Sequence, residues 1–341
     1  MFIPFSSAHK LCGKSKFFFV FWSIFNIGAV IGSCIPLART INNDGNSVDD
    51  GTYVAFLVLT LLGSVVACFL LPVSKVIRPD GSRVVHQKNP KLKDELLELF
   101  RVMKREPWIL LLFPMFFSSN WFYTYEQSVF NTASFNIRTR SLNSLLFWFM
   151  QMIGSFVVGF MLDLPFLKRK TRGLIGWVFV FSVTFIIWGC GYLFEKDRYR
   201  GKVIDDPIDF KDAAYIGPMF LYMFYGFFDA VWQCYAYWIM GALTNSSRKA
   251  AVYAGYYKGI QSAGAAIAWR LDSIGVSYAA IYGSSWGLLA GSLVIAFPVL
   301  YYKIEETTAI EKDLEETDET IADVLGTGVS IHPSNSVVSR V

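Results

Sequence analysis

Of the 341 residues, 17% are charged, 54% are hydrophobic and 17% are aromatic, and the net charge at pH 7 is +4. A soluble domain carries about 25% charged residues, so this chain has too little charge to cover a water-exposed surface. The composition excludes a soluble globule and a disordered, collagen-like or disulfide-framework chain. It indicates an integral membrane protein whose main partner is the lipid bilayer, and the small net charge predicts no nucleic-acid partner.

Eight apolar segments are long enough to cross the hydrocarbon core, which takes about 20 residues of helix. They cover residues 17–37, 53–73, 108–125, 144–162, 173–194, 216–240, 250–269 and 279–302. The sequence therefore predicts an all-α, multi-pass membrane protein with about eight transmembrane helices.

Basic residues predict the orientation of these helices. The connections on the side of the two termini carry about twice as many Lys and Arg residues as those on the other side, and the positive-inside rule then places both termini in the cytoplasm. Even parity of the spans agrees with two termini on one side.

A long basic connection divides the chain into two spans plus six. Apolar residues recur in it at helical spacing, which predicts a helix along the membrane surface; they are Leu92, Leu96, Leu99, Phe100 and Met103. The predicted organisation is a cytoplasmic head at 1–16, two helices at 17–73, the basic loop at 74–107, a six-helix bundle at 108–302 and an acidic, disordered cytoplasmic tail at 303–341.

No catalytic or metal-binding constellation is visible in the sequence. The three histidines are far apart, at positions 9, 86 and 332, whereas metal sites need several ligands together. Gly13-Lys14-Ser15 resembles the end of a phosphate-binding loop, but that motif needs a glycine where Ala8 stands. We therefore expect no enzyme activity, no cofactor and no metal.

Two ionisable residues fall near the middle of predicted spans. Asp229 is in the sixth span and Lys258 is in the seventh, and a short inner loop joins these spans. A charge at mid-depth costs about 2.5–3.5 kcal/mol on insertion scales, so it usually has a partner and a purpose. The two residues lie roughly 18 and 14 Å from the loop at 1.5 Å per residue. We predict a buried Asp229–Lys258 pair if the helices are neighbours, or a shared polar cavity if they are not.

Polar and aromatic residues share the faces of these two charges at helical spacing. They are Tyr222, Tyr225, Gln233 and Tyr237 beside Asp229, and Ala254, Gln261 and Ala265 beside Lys258. Two interpretations stay open: a cavity in which Asp229 takes up a proton, or a charge pair that fixes helix register. Glu126 and Gln151 can also face the cavity, but Glu126 stands at the outer end of its span, so we expect it at the wet rim.

Gly255, Gly259 and Ala263 form a ridge of small residues on the seventh span. Such spacing lets another helix approach closely. We expect tight internal packing there rather than dimerisation.

Several stretches carry a resemblance to a known family. The most specific are YGFFDAVWQ at 225–233 and YKGIQSAG at 257–264, which contain Asp229 and Lys258. The others are FWSIFNIGAVIGS at 21–33, IRPDGS at 77–82, SNWFYTY at 119–125, IRTRSLN at 137–143 and YWIMG at 237–241. In these stretches the chain resembles the fungal uncoordinated-93-like (ion-channel regulatory type) branch of the major facilitator superfamily.

The resemblance implies a fold and a function. The superfamily has two six-helix halves with the substrate site at midplane between them. It implies a complete carboxy-terminal bundle here, with the first four helices of the amino-terminal half absent. The expected function is a carrier for an unidentified small solute or metabolite, proton-coupled through Asp229. A substrate or coupling site would comprise Tyr225, Asp229, Gln233, Lys258 and Gln261.

Two alternatives to a carrier stay open. The family is also described through channel regulators and trafficking factors, so the chain can be a non-transporting subunit of a membrane-protein partner, or work as a homodimer. The third reading is an inactive truncated fragment.

An inner loop resembles the superfamily's gating signature. Gly159 and Asp163 precede a basic run that includes Arg169 and Arg172, but residues 164–167 are inserted between the acid and the bases. The resemblance implies that these four residues help to lock one conformation; the alternative is a plain positive-inside loop.

Overall fold

The computed structural model describes residues 14–42, 50–70, 92–201, 207–244 and 247–306. The α-helices are α1 (Lys14–Thr40), α2 (Asp50–Cys68), α3 (Leu92–Arg105), α4 (Phe113–Ser118), α5 (Ile137–Leu162), α6 (Arg169–Glu195), α7 (Ile216–Leu243), α8 (Ser247–Ser273) and α9 (Tyr278–Tyr302). Within these ranges the extended structure is one isolated bridge between Phe135 and Ile208. The all-α prediction is confirmed, while most of the predicted head, basic loop and tail lies outside the described residues.

Five described helices are long and apolar enough to cross a membrane. They are Val20–Thr40, Asp50–Cys68, Ile137–Leu162, Arg169–Glu195 and Tyr278–Tyr302, and Pro107–Ser118 is a shorter apolar helix. α7 and α8 have 28 and 27 residues, so length does not separate them from the five. Each carries polar side chains that lower its hydropathy, among them Asp229 in α7 and Lys258 in α8. A polytopic membrane protein is confirmed, and the count of eight spans stays a prediction.

The third predicted span is not one regular helix. It begins as a 3-10 helix at Pro107–Leu112, continues as α4 and, after a turn, becomes a π-helix at Thr124–Thr132. Pro107 and Pro114 stand in the first turns of the first two pieces, where proline is tolerated because those N–H groups need no helical partner. The helical path therefore runs seven residues past the end predicted at position 125.

α5 lies at the centre of the packing, between α1 and α7. α1 is antiparallel to it, because Thr40 contacts Ser141 whereas Trp22 contacts Gln151. α2 packs against α1 and leaves most of its side chains exposed. Exposed apolar residues on such a helix fit a lipid environment, because a helix satisfies its own backbone hydrogen bonds.

Two glycines allow α5 and α7 to approach to backbone contact. A Cβ atom on Gly154 would lie 2.5 Å from the Phe227 carbonyl oxygen, and one on Gly226 would meet the Phe147 carbonyl group. Small residues permit this approach between membrane helices. The same relation holds between Gly264 of α8 and the Phe117 backbone.

The predicted small-residue ridge of α8 does not pack inside the bundle. A Cβ on Gly259 would find nothing within 4 Å, and one on Gly255 would reach only Leu99 at 3.8 Å. The expectation of tight packing there is wrong for the described residues, because Gly264 on another face of α8 makes the close contact. We call the surface that contains Gly255, Lys258 and Gly259 the open face of α8.

The amphipathic helix expected in the basic loop is present as α3. Its Leu99 carbonyl group accepts a hydrogen bond from Tyr256. Glu106, just after α3, binds Lys249 and Tyr253. These contacts hold α3 against the first half of α8; an orientation along the membrane surface stays a prediction.

Gly226→Ala should destabilise the bundle by about 1–3 kcal/mol, the usual cost of inserting a methyl group where backbones already touch. Gly259→Ala is the matched control on the open face and should change stability by less than about 0.5 kcal/mol. Unfolding of the two purified variants in detergent measures the difference. Equal stabilities would contradict the close α5–α7 contact.

Candidate functional site

Asp229 is completely buried near the middle of α7. Its Oδ2 atom accepts hydrogen bonds from the Tyr123 hydroxyl and from Gln151 Nε2, each over 2.5 Å. Its Oδ1 atom accepts one from Gln233 Nε2 over 2.8 Å. Three side chains from three parts of the chain therefore converge on one carboxylate.

This arrangement offsets the cost of burying a charge inside the protein. Each hydrogen bond to a charged group contributes about 1.5–3 kcal/mol, whereas an unpaired charge in a low-dielectric interior costs several kcal/mol. All three groups donate to the carboxylate, so they favour its ionised form.

Amide side chains connect Asp229 to Lys258. The Gln233 Oε1 atom lies 3.4 Å from both the Tyr257 hydroxyl and Gln261 Nε2. Lys258 Nζ in turn donates to Gln261 Oε1 over 2.9 Å. We call these seven residues the polar network: Tyr123, Gln151, Asp229, Gln233, Tyr257, Lys258 and Gln261.

Asp229 and Lys258 do not touch each other. Among the described residues no ion pair joins them, so the predicted direct pair is wrong and the two charges instead share one hydrogen-bonded network. The Lys258 ammonium lies 5.2 Å from the Tyr257 ring centroid and 5.7 Å from that of Tyr237. It stands on the open face of α8, and so the network connects the buried carboxylate with the surface of the bundle.

Three residues of the site were not identified from the sequence. One is Tyr257, whose hydroxyl lies 3.4 Å from Gln233 Oε1; the other two are Tyr123 and Trp22. Tyr123 donates directly to Asp229, and Trp22 of α1 donates from Nε1 to Gln151 Oε1 over 3.2 Å. Both lie in stretches that carry the family resemblance, at 119–125 and 21–33. This resemblance is the one sequence feature that could have identified them. Neither residue is charged at ordinary pH, so neither has the high cost of membrane insertion that drew attention to Asp229 and Lys258.

Tyr225 was predicted to face the same cavity, but the structure places it elsewhere. It is fully buried in an aromatic cluster with Tyr125, Phe130 and Trp188, at centroid distances of 5.3–6.0 Å. It is one helical turn from Asp229 and packs beside α6, where its hydroxyl lies against Gly191. Tyr225 therefore belongs to the core rather than to the polar network.

Glu126 is not a wet rim residue. It is completely buried, and neither carboxylate oxygen accepts a hydrogen bond from any described residue. The expectation was wrong because it ended the span at residue 125, whereas the π-helix Thr124–Thr132 keeps Glu126 inside the bundle.

The residues of the inner-loop motif lie together at the ends of α5, α6 and α7. Arg172 donates to the Leu162 carbonyl oxygen over 2.9 Å, and Arg169 lies 3.3 Å from that of Ala242. Asp163 is buried beside them, and its backbone N–H binds the Gly159 carbonyl oxygen over 3.2 Å. The arginines thus satisfy carbonyl groups that helix ends leave free.

The opposite end of the bundle has its own ion pair. Asp209 accepts hydrogen bonds from Asn136 and Arg138 at the start of α5 and from the Lys211 backbone. Partial burial raises the pKa of the Asp209 carboxyl, but these donors outweigh it, so its pKa lies below the ordinary value. The described residues contain no group of three His, Cys, Asp or Glu that could hold a metal ion.

The chain is similar to several curated proteins. An UNC93-like protein of Schizosaccharomyces pombe is 48% identical over 298 residues, which cover 86% of this chain and 59% of the relative. UNC93-like protein 1 of Arabidopsis thaliana is 36% identical over 86% of this chain and 64% of the relative. Notoamide biosynthesis cluster protein O' of Aspergillus versicolor is 28% identical over 73% of this chain and 53% of the relative.

The chain spans about three-fifths of the length of the UNC93-like relatives that it matches. No family model matches the chain. No solved structure matches it either.

Asp209→Asn should destabilise the purified protein at neutral pH and have little effect in strong acid. A carboxyl with a lowered pKa contributes stability above its unfolded value of about 3.9, and the contribution disappears as the pH falls through the folded value. Melting curves between neutral and acid pH test this, with the exposed Asp197→Asn as control. A melting difference that persists unchanged in acid would contradict the assignment.

Proposed function

The chain belongs to the UNC93-like family, and we propose that it acts as a major-facilitator-type carrier for a small polar solute, coupled to protons through Asp229. The observation that carries this proposal is a buried carboxylate in a transmembrane helix, connected by hydrogen bonds to a lysine on the surface of the bundle. Ionisable groups at such depth are costly, and they commonly mark ion or substrate pathways.

The placement of Lys258 favours a functional role over a purely structural one. A charge pair that only fixed helix register would be closed on itself and buried. Here Lys258 lies on the open face of α8, where a Cβ atom on Gly259 would find nothing within 4 Å. An exposed ammonium at membrane depth needs water or a polar ligand, so this face fits the wall of a solvated pathway.

The network supplies the chemistry that coupling requires. Protonation of Asp229 would remove the negative charge on which Tyr123, Gln151 and Gln233 converge, and these donors would then need new partners. Gln233 and Gln261 connect this carboxyl to Lys258 by hydrogen bonds. Protonation of Asp229 would therefore change the affinity of the open face for a ligand.

A small organic metabolite is the substrate class that we favour. The polar network offers amide, phenol and ammonium groups, which suit a solute rich in hydrogen-bonding groups or an anion. One relative is named for a notoamide biosynthesis cluster. We extend that association to this chain only as the proposal that it moves a metabolite.

The inner-loop residues would then work as a gate. Asp163, Arg169 and Arg172 lie where the ends of α5, α6 and α7 meet, so a shift of these helices would exchange the carbonyl partners of the arginines. Breaking and reforming such contacts is one way in which membrane carriers hold one conformation at a time.

The open face of α8 also favours a second function, a subunit of another membrane protein. A helix with an acidic or hydrogen-bonding side chain could pack on the small residues around Lys258 and satisfy the ammonium group. Such a chain would regulate or escort its partner instead of moving solute.

Asp229→Asn should lower proton-driven uptake at least tenfold, because an amide of the same shape cannot bind the coupling proton. Proteoliposomes with an imposed pH gradient are given fractionated small-metabolite extracts; mass spectrometry identifies retained solute, and an internal dye reports proton entry. Asp197→Asn, outside the network, is the control.

Uptake by Asp229→Asn at the unmodified rate would contradict the coupling. Absence of solute flux from the unmodified protein, together with a stoichiometric membrane partner on purification, would favour the subunit function instead.

A further inference from the structure

Glu126 is a further buried carboxyl of this bundle, and the proposed carrier chemistry does not use it. The residue is completely buried, and in the described part of the chain both of its oxygens lack a hydrogen-bond donor. A buried ionised carboxylate without donors is strongly disfavoured, since neither water nor protein dipoles replace its hydration. The environment therefore favours a carboxyl that holds a proton.

The backbone explains why this side chain faces inward. Glu126 lies in the π-helix Thr124–Thr132 and directly follows the stretch that supplies Tyr123. A π-helical turn takes more residues than an α-helical one, so it changes which residues face the bundle interior. π-Helical segments are rare and are often found at functional sites.

Asp229 is the charged group that acts on Glu126 through the interior. The Tyr123 hydroxyl, which donates to Asp229, lies in the fields of both carboxyls. The other titratable groups that face Glu126 are the phenols of Tyr222 and Tyr225 from α7, and these are neutral. Lys258 acts on Asp229. In the described residues, then, no cation stabilises a negative charge on Glu126.

The two carboxyls differ in the hydrogen-bond donors and positive charges that stabilise their ionised forms. Asp229 has three donors and the nearby Lys258 charge, whereas Glu126 has neither. Two negative charges that repel each other in a low-dielectric interior are disfavoured together, so the pair favours one negative charge and one proton. The donors place the charge on Asp229 and the proton on Glu126.

We propose that Glu126 is a proton-binding site that shares a single negative charge with Asp229. When Asp229 gains a proton, its repulsion no longer adds to the cost of ionising Glu126, so Glu126 releases its own proton more readily. The pair then passes from a charged Asp229 with a neutral Glu126 to the reverse, with one proton bound before and after. This inference concerns protonation alone and holds whether or not the protein transports a solute.

Infrared spectroscopy of the full chain in lipid tests this site without a transport assay. At neutral pH the unmodified protein should show the C=O stretching band of a protonated, buried carboxylic acid. Glu126→Gln should remove this band, since its amide has the shape of the protonated acid but no carboxyl group. Persistence of the whole band in that variant would overturn the proposal.

Glu195→Gln is the matched control. Glu195 is also buried, but it accepts hydrogen bonds from Tyr125 and Arg198. Its ion pair with Arg198, over 3.2 Å, favours the ionised form although no described residue donates to its Oε1 atom, so its replacement should leave the band unchanged. If the band disappears in Glu195→Gln but not in Glu126→Gln, the proton is bound by Glu195, and the proposal is overturned.

Two further measurements keep the test decisive. Incorporation of carboxyl-¹³C glutamate should shift the band of the unmodified protein, whereas ¹³C-aspartate should not. This measurement does not depend on the folding of any variant. Asp229→Asn should weaken proton binding at Glu126 at least tenfold, so that the band disappears about one pH unit lower. A band that titrates identically with and without Asp229 would show independent carboxyls and overturn the sharing of charge.

Discussion

A carboxylate that is fully buried in the middle of a helix must find its hydrogen-bond donors inside the protein, and the packing of this bundle follows from that requirement. Asp229 receives them from Tyr123, Gln151 and Gln233. The short α5–α7 distance that brings Gln151 into reach depends on Gly154 and Gly226, which let the two backbones touch. Gln151 then accepts from Trp22, so the same requirement also fixes α1 against α5.

The polar network extends from the buried Asp229 to Lys258 at the surface of the bundle. Two neutral amide side chains, Gln233 and Gln261, lie between Asp229 and Lys258. A change of charge at one residue can therefore alter the hydrogen bonds of the other without direct contact. Among the described residues, the two oxygens of Glu126 have no donor, so this residue is coupled to Asp229 by charge alone. A site with one well-supported and one unsupported carboxyl can hold a proton in two places, which is the property that a coupled carrier needs.

The sequence predicted the parts of this site that follow from energetic cost. Asp229 and Lys258 could be found because a charge within an apolar run is expensive, and Gln233 and Gln261 because helical spacing puts them on the same faces. Glu126 could not be placed, since a hydropathy pattern does not reveal a π-helix. The spacing of small residues in the sequence also does not show which face of a helix packs against a neighbour. Only the fold shows that Gly226 is in backbone contact while Gly259 faces open space.

A double-mutant cycle between Asp229 and Gln151 shows whether the bundle is organised around the Asp229 carboxylate. Unfolding free energies of Asp229→Ala, Gln151→Ala and the double variant would be measured in mixed micelles. The account predicts a coupling energy of about 0.5–3 kcal/mol, with Gln151→Ala much less costly once Asp229 is gone. Additive effects, with no coupling between the two positions, would contradict it.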